Sequence, residues 1–92
     1  MNISTPQAPD IENDIRAFLV DTFLYGRNEE LHADTPLLDT VVDSHGVVEL
    51  VVFLQDRFGI MVKDEEVTTD NLNSLNQIAA FVLKKLNEKR EN

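Results

Sequence analysis

Residues 37–50 read LLDTVVDSHGVVEL, and we expect a helix to begin within this segment at Asp43-Ser44. Aspartate and serine are favoured at helix starts because their oxygens accept hydrogen bonds from the first backbone N–H groups. Gly59 suits the position that follows a helix. The β-branched residues between 47 and 54 have strand propensity, but the cap, the glycine and the 3–4 spacing favour a helix. Its predicted buried face is formed by Val47, Leu50, Val51, Leu54 and Phe58.

Two further amphipathic helices are predicted on either side of this one. The first follows an N-cap at Asp10 and ends at Gly26, and its apolar stripe comprises Ile11, Ile15, Phe18, Leu19, Thr22, Phe23 and Leu24. The last opens at Ser74, where residues 74–77 (SLNQ) fit a capping box, and its stripe comprises Leu75, Ile78, Ala79, Val82 and Leu86.

The two connections differ in length and character. Residues 27–43 lack sustained periodicity and form a long loop, which we expect to be pinned to the core by Leu31, Leu37 and Leu38. Residues 63–73 are predicted to hold a turn and one short helical segment. The predicted fold is therefore all-α: a small bundle of three main helices plus one short helix, with a long loop between the first and second helices.

The chain length of 92 residues predicts a single domain. We place this domain at residues 10–88, after a disordered leader at 1–9, where Pro6 and Pro9 disfavour a helix, and before a disordered tail at 89–92. No apolar run is long enough to span a membrane, and residues 1–9 have no apolar segment typical of a secretory signal. We therefore expect a cytoplasmic monomer without membrane insertion.

The charge of the chain is strongly acidic. Seventeen acidic residues against eight basic ones give a net charge of −9. Eleven of the acidic residues, but only two basic ones, Arg57 and Lys63, lie between Asn28 and Asp70. A field of this sign repels nucleic acid and attracts basic protein surfaces. The middle of the chain is thus predicted to dock onto positively charged protein partners, although the same charge also serves solubility.

The sequence contains few of the residues that form catalytic or metal sites in other proteins. There are no cysteines, and His32 and His45 lie on separate segments, which does not make a zinc site. The acidic residues 64–66 lack the glycine-centred loop of a calcium site. Ser44 and His45 are neighbours, but no third orienting group or oxyanion pocket accompanies them. We therefore predict neither a metal site nor an enzyme.

Ser44 fits a different use. A helix start offers free N–H groups and the positive end of the helix dipole, which suit a phosphodiester, and Gly46 removes a side chain where an attached group or a modifying enzyme would approach. The alternative is that Asp43 and Ser44 only cap the helix. At 100° per residue, the outward side of this helix is predicted to hold an acidic patch with valines at its centre: His45, Val48, Glu49, Val52 and Asp56.

The segment 37–50 resembles the attachment segment of acyl carrier proteins, in which an Asp-Ser pair opens the second helix. The similarity continues through Phe58-Gly59-Ile60, the acidic residues 64–66 and Ser74, and covers roughly residues 10–87. It implies that Ser44, within the attachment motif Asp43, His45 and Gly46, takes a 4′-phosphopantetheine from a dedicated phosphopantetheinyl transferase. Cargo is then held as a thioester. The family's partner-docking helix corresponds to His45, Val48, Glu49, Val52 and Asp56.

The sequence departs from the family pattern at two positions. Val41 replaces the usual glycine two residues before the aspartate, and His45 replaces the usual leucine after the serine. These departures favour a specialised carrier of amino acids or an unusual acyl group, acting in lipid or secondary-metabolite biosynthesis with loading ligases or synthases that present basic docking patches. They speak against a standard role in fatty-acid synthesis. The alternative function is a non-carrier acidic helical adaptor that binds a basic protein partner.

Overall fold

The computed structural model describes residues 8–90 and, within them, the side chains of residues 10–89. The chain forms α1 (Ala8–Phe23), α2 (Ser44–Phe58), α3 (Thr69–Leu72) and α4 (Leu75–Arg90), with short 3₁₀ helices at Asn28–Glu30 and Asp64–Glu66. The described residues contain no strand, only an isolated bridge between Leu38 and Val42. The predicted all-α bundle of three main helices and one short helix is confirmed.

The bounds of the outer helices differ from the predicted domain limits and caps. α1 begins at Ala8, so Asp10 lies in its first turn and is not its N-cap. Pro9 is tolerated there because the first N–H groups of a helix have no intrahelical partner. α4 continues to Arg90 and so includes the first two residues of the predicted tail. The remainder of the predicted leader and tail lies outside the described residues.

The core is built from one stripe of each long helix. α1 and α3 pack mainly against α4. The predicted stripes are largely confirmed, but Thr22 is exposed and Val20 is buried in its place. The side chains with no exposed surface are those of Ile11, Ile15, Leu19, Leu37, Leu50, Leu54, Leu72, Leu75, Ile78 and Val82.

The long first loop is pinned to this core as predicted, since Leu31 and Leu37 are buried and Leu38 is half-buried. The carbonyl of Leu37 accepts hydrogen bonds from the N–H groups of Val41 and Val42, at 2.9 and 2.8 Å. Its own N–H group donates to the Asn73 carbonyl at 2.8 Å. The Asn73 side chain accepts a further bond from the Leu38 N–H group at 2.9 Å. These bonds tie the segment that leads into α2 to the start of α4.

Two residues with left-handed backbone, Tyr25 and Gly26, follow the end of α1. Gly26 (φ 84°) confirms the predicted role of this glycine. Tyr25 (φ 54°) adopts the same region although it has a side chain, and that side chain is 84% exposed. A non-glycine residue in this conformation carries backbone strain because its Cβ crowds the following carbonyl oxygen.

Replacing Tyr25 by Gly is therefore expected to raise the free energy of unfolding by about 0.5–1 kcal/mol, because the strain is relieved and little packing is lost. Denaturant unfolding measures the change. Tyr25→Ala is the matched control, since alanine removes the ring but keeps the strained Cβ, and it should bring no such gain. A less stable Tyr25→Gly protein would mean that the exposed ring stabilises the fold.

Candidate functional site

Two adjacent residues at the start of α2 have different roles. Asp43 is the N-cap, with extended backbone, and its Oδ1 accepts a hydrogen bond from the Gly46 N–H group at 2.7 Å. Ser44 is the first residue of the helix, and its exposed hydroxyl makes no hydrogen bond to any described residue. Of the two residues in the capping interpretation, Asp43 therefore caps the helix and Ser44 does not, because Asp43 already binds the N–H group that a cap would bind.

Gly46 serves packing inside the fold. A Cβ at this position would lie 2.8 Å from Phe23 Cε1 and 3.1 Å from Val42 Cγ1. Real Cβ atoms essentially never approach another atom as closely as 2.8 Å, so a side chain here would force the Phe23 ring to move and the Val42 side chain to shift by a few tenths of an ångström. The predicted reason for Gly46, room for an attached group or a modifying enzyme, is thus wrong, since the space that it leaves is filled from within.

The loop before Ser44 accommodates Val41 without strain. Its left-handed residue is Asp39 (φ 68°), whose N–H group donates to the Val42 carbonyl at 3.0 Å. Val41 is half-buried, packs against the core, and does not have positive φ. The departure from glycine at this position therefore requires no unusual backbone.

The predicted outward face of α2 points to solvent. Its five residues, His45, Val48, Glu49, Val52 and Asp56, are all exposed. His45 Nε2 lies 3.7 Å from Glu49 Oε2, which is an ion pair only when the imidazole is protonated. The neighbouring Arg57 turns away to bind Asp14 at 2.7 Å, so it does not neutralise this face. The outward face keeps two valines among carboxylates.

A groove of about 260 Å³ opens beside Ser44. Apolar side chains, including Leu38, Val42 and Val47, line one part of it, and Thr68 and Thr69 line another. The groove lies between α2 and the segment that leads into α3. It can therefore hold a flexible group that has both polar and apolar parts.

Glu66 anchors the connection between α2 and α3, which borders this groove. Its carboxylate accepts hydrogen bonds from the Lys63 N–H group at 2.9 Å and from Lys85 Nζ at 3.0 and 3.1 Å. The bond from the Lys63 N–H group, aided by the Lys85 ammonium, lowers the pKa of Glu66 below its usual 4.5, although desolvation opposes the shift. This pairing fixes the α2–α3 connection to α4, and the sequence pattern did not reveal it.

Replacing Glu66 by Gln is expected to lower the free energy of unfolding near neutral pH, and this deficit should shrink on acidification. The pKa of Glu66 is lower in the folded chain than in the unfolded chain. Its ionised form therefore stabilises the fold above the unfolded value, and this contribution is lost as the pH falls through the folded pKa.

Urea unfolding of both proteins at neutral pH and at about pH 3 measures this effect, because free carboxylates are mostly protonated at the lower pH. Glu65→Gln, at an exposed neighbour without a bonded partner, is the control and should follow wild type at both values. An equal deficit for Glu66→Gln at both pH values would contradict a role for its charge.

The described part of the chain lacks a metal-binding cluster and a membrane-spanning helix. No three histidine, aspartate or glutamate side chains of residues 10–89 gather where they could hold a metal ion. No helix between residues 8 and 90 has both the length and the apolar character needed to cross a membrane.

The chain matches the model of a known protein family. The family described as PP-binding, phosphopantetheine attachment site, matches residues 19–82. The matched region begins within α1, ends within α4, and includes the whole of α2 with Ser44 at its start. It covers more than two thirds of the chain.

Proposed function

Since the chain belongs to the phosphopantetheine-attachment family, we propose that it is an acyl carrier protein whose 4′-phosphopantetheine is attached to Ser44. Domains of this family carry that group covalently, are generally not catalytic, and work with phosphopantetheinyl transferases and with synthase or ligase enzymes. When bound, the group supplies a terminal thiol that holds acyl or aminoacyl cargo as a thioester. The observation that carries the proposal is the exposed, unbonded hydroxyl of Ser44 beside a separate cap.

The surroundings of Ser44 fit such a group. Asp43 engages the Gly46 and Val47 N–H groups, which leaves those of Ser44 and His45 without partners among the described residues, at the positive end of a 15-residue helix. A phosphodiester is favoured at such a helix end. The adjacent groove offers apolar walls for hydrocarbon and the two threonines for amides. Ser44 thus serves as the point of attachment, while Asp43 keeps the helix end in place.

The outward face of α2 is proposed as the docking surface for partner enzymes. Its valines offer a small apolar centre, Val48 and Val52 being 60% and 49% exposed. Glu49 and Asp56 lie at its rim and attract the basic patches of a transferase, a loading ligase or a synthase.

Changing Glu49 or Asp56 to Lys should slow modification by a phosphopantetheinyl transferase by about fivefold at low salt, since each exposed ion pair contributes up to about 1 kcal/mol. The difference should shrink at high salt because exposed charges are screened. Initial rates of mass gain at two salt concentrations test this. Asp34→Lys, at an exposed acid of the first loop, is the control. Equal slowing at both salt concentrations would contradict electrostatic steering.

The proposed carrier is specialised, with amino acids or an unusual acyl group as cargo. Support comes from His45, which places a polar side chain, 84% exposed, next to the attachment point where a leucine is usual. Lipid or secondary-metabolite biosynthesis remains the proposed setting, with a monomer in the cytoplasm as the proposed state.

The absence of cysteine from the sequence makes the test direct. After co-expression with a phosphopantetheinyl transferase, titration with a thiol reagent should give one reactive thiol per chain, and the intact mass should rise by one phosphopantetheine. An unchanged mass without a thiol would overturn the carrier proposal. It would leave the acidic adaptor, for which the charge of −9 is the supporting observation.

A further inference from the structure

Tyr25 combines a strained backbone with an exposed aromatic ring. Its φ is 54°, and its side chain is 84% exposed, more than any other large hydrophobic side chain in the described part of the chain. The other non-glycine residue with positive φ is Asp39, and aspartate adopts this region more readily because its short polar side chain can bond locally. A bulky residue in this conformation is a genuine outlier. The Tyr25 ring therefore carries a conformational cost and gains almost no burial within the fold.

The polar end of this ring is not used within the described residues, since none of them makes a hydrogen bond with the Tyr25 hydroxyl. The guanidinium carbon of Arg27 lies 5.8 Å from the ring centroid, a distance at which a cation attracts the face of an aromatic ring. Arg27 is itself half-exposed, and its Nε lies 3.2 Å from Glu30 Oε2. The surface after α1 thus presents an aromatic ring with a cation beside it.

This surface lies at the same end of the molecule as Ser44. Contacts between α1 and α2 join Asp14 to Arg57 at 2.7 Å, the ring of Phe18 to that of Phe53 at 4.2 Å between centroids, and the ring of Phe23 to the backbone at Gly46. Residue numbers rise along α1 as those of the partners fall along α2, so the two helices run in opposite directions. The end of α1 therefore meets the first turn of α2. Tyr25 follows directly after the former, and Ser44 begins the latter.

Tyrosine and arginine are the residue types that most often anchor protein interfaces. Backbone strain is found at functional sites, where the surrounding structure maintains it. We propose that Tyr25, with Arg27 beside it, is an anchor for the phosphopantetheinyl transferase that acts on Ser44; this inference rests on the proposed attachment at Ser44. The matching surface of the enzyme is an apolar recess for the ring with a carboxylate at its rim. This anchor differs in charge from the outward face of α2, whose carboxylates attract basic groups.

Modification rates with one transferase, measured by intact mass at several concentrations of the carrier, test the anchor. Tyr25→Gly should raise KM by about fivefold to thirtyfold, the range for truncation of an anchoring side chain, with little change in kcat. Tyr25→Ala should raise KM as much, because it also lacks the ring, although it keeps the strained Cβ. Tyr25→Phe, which loses only the hydroxyl, should lie between wild type and these two variants.

Met61→Ala is the matched control. Met61 is 69% exposed, but it follows the other end of α2 and therefore lies away from Ser44, so its KM should equal that of wild type. Arg27→Gln tests the charge of the anchor. It should raise KM by up to about fivefold at low salt, the contribution of one exposed ion pair, and by less at high salt.

Stability measurements separate docking from folding. Tyr25→Gly is expected to be more stable than wild type, so its slower modification could not result from unfolding. Circular dichroism and denaturant unfolding verify this point. A Tyr25→Gly protein that is less stable than wild type would give the ring a structural role and overturn the anchor.

The remaining outcomes distinguish the anchor from the attachment. A wild-type chain that gains no mass overturns both proposals together. If wild type is modified but Tyr25→Gly and Tyr25→Ala have its KM, the anchor alone is overturned. An equal rise in KM for Met61→Ala also contradicts the anchor, because the effect would then not depend on the end of the molecule that bears Ser44.

Discussion

The Ser44→Ala protein is expected to gain neither mass nor thiol when it is co-expressed with a phosphopantetheinyl transferase, whereas wild type gains both. The expected loss is complete because alanine removes the only atom to which the group would be joined. Stability should change little, by less than about 0.5 kcal/mol, because the Ser44 hydroxyl is exposed and bonds to no described residue. Intact mass, thiol titration and denaturant unfolding of the purified protein provide the three readouts.

The matched control is Ser74→Ala at the start of α4. Ser74 Oγ accepts a hydrogen bond from the Gln77 N–H group at 3.2 Å and so caps its helix. Its loss should lower the free energy of unfolding by about 1 kcal/mol and leave modification intact. Ser44→Ala is thus expected to abolish modification with little change in stability, and Ser74→Ala to lower stability with no change in modification. Modification that persists in Ser44→Ala would place the attachment elsewhere and overturn the proposed site.

Replacing Leu37 by Ala is expected to lower the free energy of unfolding by about 2–5 kcal/mol, the range for a fully buried leucine. In a domain of this size the melting temperature should fall by about 10–30 °C. The reason is that Leu37 combines a buried side chain with a backbone carbonyl that holds Val41 and Val42. Calorimetry measures the loss, and faster hydrogen exchange of the Val41 and Val42 amides would locate it in the loop before Ser44.

Leu38 provides the comparison for this experiment. It is adjacent and chemically identical but only half-buried, so Leu38→Ala should cost roughly 1–2 kcal/mol. If both variants lost equal stability, the loop would not be held by the side chain of Leu37. If Leu37→Ala left the Val41 and Val42 amides protected, the backbone bonds alone would fix the approach to α2.

Local rules predicted the helices because the residues that terminate them are close in sequence. Asp43 and Gly59 frame α2 as its caps, and the 3–4 spacing of Leu50 and Leu54 identifies its buried side. The capping box at Ser74 is confirmed in part: the Ser74 hydroxyl binds the Gln77 N–H group, but the Gln77 side chain accepts from the N–H group of Asn73. The exposure of Val48 and Val52 followed from the same periodicity.

Contacts between distant segments could not be predicted in this way. Asn73 binds the first loop across 35 residues, and Glu66 binds Lys85 across 19, and neither pairing leaves a periodic signal. The role of Gly46 is of the same kind, since the contact that requires it comes from Phe23 at the end of another helix. The start of α1 was predicted too late for a different reason. Its first turn accepts Pro9, although the low helix propensity of proline had placed this residue outside the helix.

The end of α2 that bears Ser44 is held from several sides. Asp43 secures its first turn, the ring of Phe23 fills the space at Gly46, and the carbonyl of Leu37 fixes the residues that lead into it. These contacts therefore hold the start of α2 in one position. Under the proposed attachment at Ser44, the movement of a carried group would therefore come from the attached arm, and a docked enzyme would need its active site within reach of that arm.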